Sequence, residues 1–88
     1  MEKNDRALAR QIIKICRAET KNKHITERSK LHEVGIDSIT FVNILFSIET
    51  IEGLDFSADL PLLSECETIY ELIKKVQIIK FKQDEGKE

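Results

Sequence analysis

Asp37 and Ser38 sit near the middle of the 88-residue chain, two residues after Gly35 and ahead of a long apolar run. Asp is a good N-cap for a helix that opens at Ser38, and Gly35 permits backbone angles that a Cβ would disfavour. The serine is therefore either an ordinary helix start or a hydroxyl held out for modification. No Cys, His or Lys is placed as its base in a triad-like arrangement, so hydrolase chemistry at Ser38 is not expected. His24 and His32 lie eight residues apart without further ligands at defined spacing, and no metal site is expected. Cys16 and Cys66 lie fifty residues apart with no CxxC pattern. They read as two small buried side chains in a reducing compartment, which makes the cytoplasm the expected location.

These residues need elements to position them. Residues 5–19 read as a helix, with Leu8, Ile12, Ile15 and Glu19 on one stripe, Ile13 and Cys16 beside it, and Asn4 or Asp5 as a cap. Residues 20–37 lose this period and read as a long loop anchored by Ile25, Leu31 and Val34. A second helix is predicted from Ser38 to about Glu52, stopped near Gly53, after which Leu54 and Phe56 re-enter the core. Residues 60–66 hold one short helical turn with Pro61 at its first position. The last helix opens at Thr68, where Thr68 and Glu71 match the capping box. Its apolar face is Ile69, Leu72, Ile73 and Val76, extended by Ile78 or Ile79. The fold class expected is all-α: a small four-helix bundle of three main helices and one short third helix, with a long loop between helices 1 and 2. Residues 1–81 form one domain, and residues 82–88 read as a frayed polar tail.

Composition narrows the functions open to such a chain. With 41% hydrophobic and 34% charged residues, three Gly and one Pro, it fits a compact helical domain with one modest core. A large enzyme pocket between two domains is not expected of a chain this size. No stretch approaches the roughly 18–20 apolar residues needed to span a bilayer, and the N-terminus has no secretory pattern, so no membrane partner is expected. The net charge of −2 conceals a segregation. Residues 1–30 hold nine Lys/Arg against four Asp/Glu, whereas residues 31–71 hold nine Asp/Glu and no Lys or Arg. The basic residues of the first third (Lys3, Arg6, Arg10, Lys14, Arg17) step as a solvated helix face does. With few aromatics and an acidic middle, nucleic acid is not an expected partner.

The second helix has two apolar stripes. With Ser38 at 0° and 100° per residue, Phe41, Ile44, Leu45, Ile48 and Ile51 fall between about 220° and 340°, a normal core face. Ile39, Val42 and Phe46 fall at about 40–100°, with the i, i+3, i+7 spacing of a helix that meets a partner. Both stripes buried in a short bundle is one reading; an exposed patch that a partner covers is the other.

The stretch from Leu31 to Val42, with Gly35-Ile36-Asp37-Ser38-Ile39 at its centre, resembles the signature of acyl carrier proteins. The resemblance covers nearly the whole chain: a helix, a long loop, the Asp-Ser helix start, a short third helix and a last helix opened by Thr68-Ile69. It implies that Ser38 is the attachment point of a covalent 4′-phosphopantetheine whose thiol carries an acyl group as a thioester. A hydroxyl in the first turn of a helix lies at a positive dipole end that tolerates a phosphodiester. Asp37 would help the phosphopantetheinyl transferase place its metal and the serine. Ile39, Val42 and Phe46 correspond to apolar positions contacted by acyl-loading and acyl-processing enzymes. Glu49 and Glu52 would add ionic contacts, and Ile44 and Ile48 would line the space that shelters an acyl chain. The resemblance implies a monomeric carrier, not an enzyme. Thr40 and Asn43 stand where fatty-acid carriers usually have acids, which points to a specialised member serving polyketide, lipid-modification or related biosynthesis. A peptidyl or aminoacyl carrier, or an unmodified helical interaction module in which Asp37 is only a cap, are the alternatives.

Overall fold

The computed structural model describes residues 2–86, with side chains placed from residue 6 to residue 85. Four α-helices run in order: α1 (Glu2–Thr20), α2 (Ser38–Glu52), α3 (Leu60–Leu63) and α4 (Ile69–Gly86). Short 3-10 turns cover Leu31–Val34 and Ser57–Asp59, and no strand is formed among the described residues. The all-α reading holds. The helices α1 and α2 pack against each other, α4 packs on α1, and α3 packs on α4.

Each helix buries the stripe that its period sets out. Leu8, Ile12, Ile15 and Cys16 from α1 meet Ile44, Leu45 and Ile48 from α2 and Ile69, Leu72, Ile73, Val76 and Ile79 from α4. Leu54 and Phe56 close the core below α2, and Ile25 and Leu31 enter it from the loop. Ile79 rather than Ile78 extends the α4 face. Ile51 is a correction: at the outer edge of the α2 stripe, and in the last turn, it is 53% exposed. Glu19 is likewise exposed, in the last turn of α1.

The helix ends show how the chain reverses. Helix α1 begins earlier than residue 5, so Asn4 and Asp5 lie inside it rather than capping it. It ends where Thr20 Oγ1 donates to the Cys16 carbonyl and Lys21 turns left-handed at φ 57°. Helix α2 ends at Gly53, φ 68°, which a Cβ would strain; the Gly53 and Leu54 amides both donate to the Glu49 carbonyl. The short turn around Pro61 spans Leu60–Leu63, less than the stretch expected, and Lys75 Nζ donates to the Leu62 carbonyl at 3.0 Å.

One further expectation is revised. Residues 82–86 are not a frayed tail but the last part of α4; Lys87 and Glu88 lie outside the described residues. The reason is a clasp: Gln83 accepts from the Asp55 amide and donates to the Asp55 carbonyl, at 3.1 and 2.6 Å. The long loop is also ordered by its backbone. The amides of Ile69 and Tyr70, at the open start of α4, donate to the Ser29 and Glu27 carbonyls, and the Leu31 amide donates to the Glu67 carbonyl. The loop therefore satisfies donors that a helix start leaves open. The Thr68 hydroxyl caps the Glu71 amide as expected, but the Glu71 carboxylate accepts from the Glu67 amide, one residue before the partner a capping box would use.

Both cysteines are free. Burial raises the Cys16 thiol to about 12. Cys16 is therefore predicted to resist alkylation at pH 8 until the protein unfolds, a comparison that mass spectrometry with and without denaturant makes directly. Phe56→Ala, which empties a fully buried site, is predicted to cost about 3–5 kcal/mol in chemical denaturation.

Candidate functional site

Ser38 is the first residue of α2 and is exposed. Two features place it there. Ile36 is buried at 6% exposure and hooks the end of the loop into the core. Gly35 adopts φ 92° after the Leu31–Val34 turn, so the Gly35 and Ile36 amides both donate back to the Leu31 carbonyl. The chain then passes through Asp37, whose Oδ1 accepts from the Thr40 amide at 2.8 Å and whose carbonyl accepts from the Phe41 amide at 2.8 Å. The bonds from Thr40 hold the Asp37 carboxyl below the usual carboxylate range. Ser38 thus stands at the amino end of a 15-residue helix, beside an ionised carboxylate.

Beside this hydroxyl lies an open cleft of about 390 Å³. Leu31, Ile36, Phe41, Val42 and Cys66 supply its apolar surface. Asp37, Ser38, His32, Ser64 and Glu67 supply its polar groups. The pairing of Leu31 with Glu67 brings the far side of the cleft, from Ser64 to Glu67, next to the loop. The Cys66 thiol is raised mainly by burial, with Lys75 pulling the other way and Glu71 and Glu65 adding to the rise. The site thus sets an exposed hydroxyl beside a channel with mixed polar and apolar walls.

The second stripe of α2 is exposed: Ile39 at 75%, Val42 at 52% and Phe46 at 63%. It forms a ridge between hollows. Val42 lines the cleft by Ser38 and also a smaller groove of about 270 Å³, which Phe46, Phe56 and Leu60 share. Leu60 is itself exposed across that groove. Ser38, Asp37, Ile39, Val42 and Phe46 thus fall on one continuous surface.

Glu49 and Glu52 behave differently. Glu49 Oε2 accepts from the Phe56 amide at 2.6 Å, which fastens the segment after α2. Glu52 pairs with Lys80 at 3.2 Å and keeps a side-chain exposure of 19%. Both carboxylates have partners within the chain. The exposed acids that line the cleft with Ser38 are Asp37 and Glu67. His32, Ser64, Cys66 and Glu67 were not singled out as site residues by the sequence; they join it only through the long-range pairing of the loop with the start of α4. His24 is exposed on the loop and outside the cleft, and no group of three or more potential metal ligands occurs among the described residues. No helix among them is long and apolar enough to cross a membrane.

Phe46→Ser is predicted to leave stability within about 0.5 kcal/mol of the parent, because the ring is mostly in water. A loss comparable to that of Phe56→Ala in the same denaturation assay would show the ring to be part of the core. The cap carries a pH signature. Asp37 is ionised more easily in the folded chain, so its stabilising contribution is present above the ordinary carboxylate range and fades as pH falls through it. Asp37→Asn keeps a capping side chain and is predicted to flatten that part of the acid denaturation profile followed by circular dichroism.

Compared with protein-family models, curated proteins and solved structures, the chain matches none.

Proposed function

We propose that the protein is an acyl carrier, modified on Ser38 by 4′-phosphopantetheine and delivering acyl groups to partner enzymes. The observation that carries this reading is the exposed Ser38 hydroxyl at the capped start of α2, beside a cleft of about 390 Å³ with apolar and polar walls. The proposal entails a four-helix carrier architecture, and the all-α fold, with three longer helices and a short third one, supports it.

When bound, the arm supplies a terminal thiol for thioester chemistry; the protein supplies position and recognition. In the loading step the Ser38 oxygen attacks the β-phosphorus of coenzyme A. Its proton passes to a base of the transferase, and adenosine 3′,5′-bisphosphate leaves. The partial positive charge at the start of α2 favours the resulting phosphodiester anion. Asp37 is held ionised beside the serine and serves the transferase's cation. Ile39, Val42 and Phe46 form the apolar contact for partner enzymes, and their exposure supports that role. Asp37 and Glu67, which line the cleft, are the acids best placed to meet basic partner residues, since Glu49 and Glu52 are engaged internally.

Incubation with coenzyme A and a broad-specificity phosphopantetheinyl transferase is expected to add the mass of one phosphopantetheine to the intact protein, and to add none to Ser38→Ala. No gain under conditions that modify a control carrier would instead favour a small helical interaction module in which Asp37 is only a cap. Raised salt is predicted to slow loading, because exposed charges are screened over about 8–10 Å. Loading rates that do not change with salt would remove the ionic part of the docking reading.

A further inference from the structure

The outward face of α1 carries a row of cations that the Ser38 site does not use. With Arg6 at 0° and 100° per residue, Arg10, Lys14 and Arg17 all fall within about 80° of it. The core side chains of the same helix, Leu8, Ile12, Ile15 and Cys16, fall at about 180–280°, so the row points away from the core. All four cations are exposed, and the row is about 16 Å long. Arg17 is steadied by its Nε, which donates to the Ile25 carbonyl at 3.0 Å. Among the described residues, the ion pairs present involve Lys80 and none of these four.

Charges that alternate in sign along a helix face can pair with one another. This one sets like charges at i, i+4 and i, i+3, which works against helix stability. Glu19 lies near 220°, away from the row. The neighbours on one side are the small residues Ala7 and Ala18, which allow another backbone to approach closely.

The character of the row selects among anionic partners. A helix that lies on lipid adds bulky apolar side chains for insertion. Every large exposed hydrophobic residue among the described ones lies on α2, on α3 or on α4 rather than α1. Single-stranded nucleic acid asks for aromatic platforms, and α1 has none. Cations on a straight helix, three of four of them arginine, match carboxylates at i, i+4 on a facing helix, to which arginine can bind with two parallel hydrogen bonds.

We propose that this face of α1 is a second docking surface, whose occupant is an acidic helix of a partner protein. Helix α2 packs on the core side of α1. A partner on the outward row therefore leaves Ser38 and the Ile39–Val42–Phe46 ridge open, so the protein can be held by one partner while it serves another. The proposal needs no modification of Ser38, and its test uses the unmodified full chain, so it stands or falls apart from the carrier reading.

The test is a nuclear magnetic resonance titration of the full chain at low ionic strength. The probe is a synthetic helical peptide with Glu at i, i+4 on one face. Shift changes are expected along the outward face of residues 6–18, and they should disappear in high salt. Arg10→Glu is expected to weaken binding roughly fivefold. That variant gains a favourable Glu–Lys pair with Lys14, which keeps α1 folded, as circular dichroism would verify. Lys14→Glu is a second variant with the same expected loss. Absence of shifts, or shifts confined to the α2 ridge, would overturn the proposal. So would tighter binding of anionic phospholipid vesicles or duplex RNA than of the peptide, which would make the row a general polyanion face. Salt-sensitive self-association that Arg10→Glu abolishes would assign the row to a second copy of the chain and likewise overturn the proposal.

Discussion

Three backbone hydrogen bonds between the loop and the start of α4 hold the arrangement on which the rest of the structure depends. The Ile69 and Tyr70 amides donate to the Ser29 and Glu27 carbonyls, and the Leu31 amide donates to the Glu67 carbonyl. A helix start leaves its first donors open, and an 18-residue helix on a small core needs them met. The loop meets them, and in doing so it becomes ordered itself. Leu31 and Ile36 can then enter the core, and the chain arrives at Asp37 from a fixed direction. The same bonds bring residues 64–67 across from the start of α2, which makes the far wall of the cleft. One constraint therefore completes a helix, orders a loop and builds the space beside Ser38.

Within that frame the polar residues divide by task. Glu49, Glu52 and Gln83 work inside the fold. Glu49 fastens the Phe56 amide, Glu52 pairs with Lys80, and Gln83 clasps Asp55. Asp37 works at the surface, where its cap fixes the helix start and keeps its own charge. The apolar residues of α2 divide in the same way. Ile44, Leu45 and Ile48 close the core, while Ile39, Val42 and Phe46 stand in water. Helix α2 therefore has a second apolar face that its own chain leaves exposed.

Much of this was legible from local pattern. The core stripes of α1, α2 and α4, the cap at Asp37 and the stop at Gly53 follow from period and residue type, and the structure has them. The exposure of the second stripe was open in the sequence, because periodicity shows that a stripe exists and not whether a neighbour covers it. The misses share a cause. Gln83 looked like part of a polar tail, and the intrachain bonds of Glu49 and Glu52 went unread, because the partners lie at Asp55, Phe56 and Lys80. The loop read as irregular because its order comes from pairing with residues about forty positions away. Cys66 and Glu67 reached the site by the same route, and no local spacing announces it. Ile51 failed for a simpler reason, since the edge of a stripe in a last turn lies outside the packing of its neighbours.

The charge segregation gains a structural meaning from the same geometry. The exposed cations of α1 point away from the core, while Asp37 and Glu67 share the cleft with Ser38. A near-neutral total thus covers two faces of opposite sign on a domain with a radius of gyration of 12.3 Å. The central claim is that Ser38 is where this protein is modified and from which it works. Its most direct measurement is peptide mapping by mass spectrometry of the protein isolated from its own cells. The account predicts phosphopantetheine, free or acylated, on the peptide that contains Ser38. An unmodified Ser38 peptide, recovered from cells in which other carriers bear the group, would contradict it.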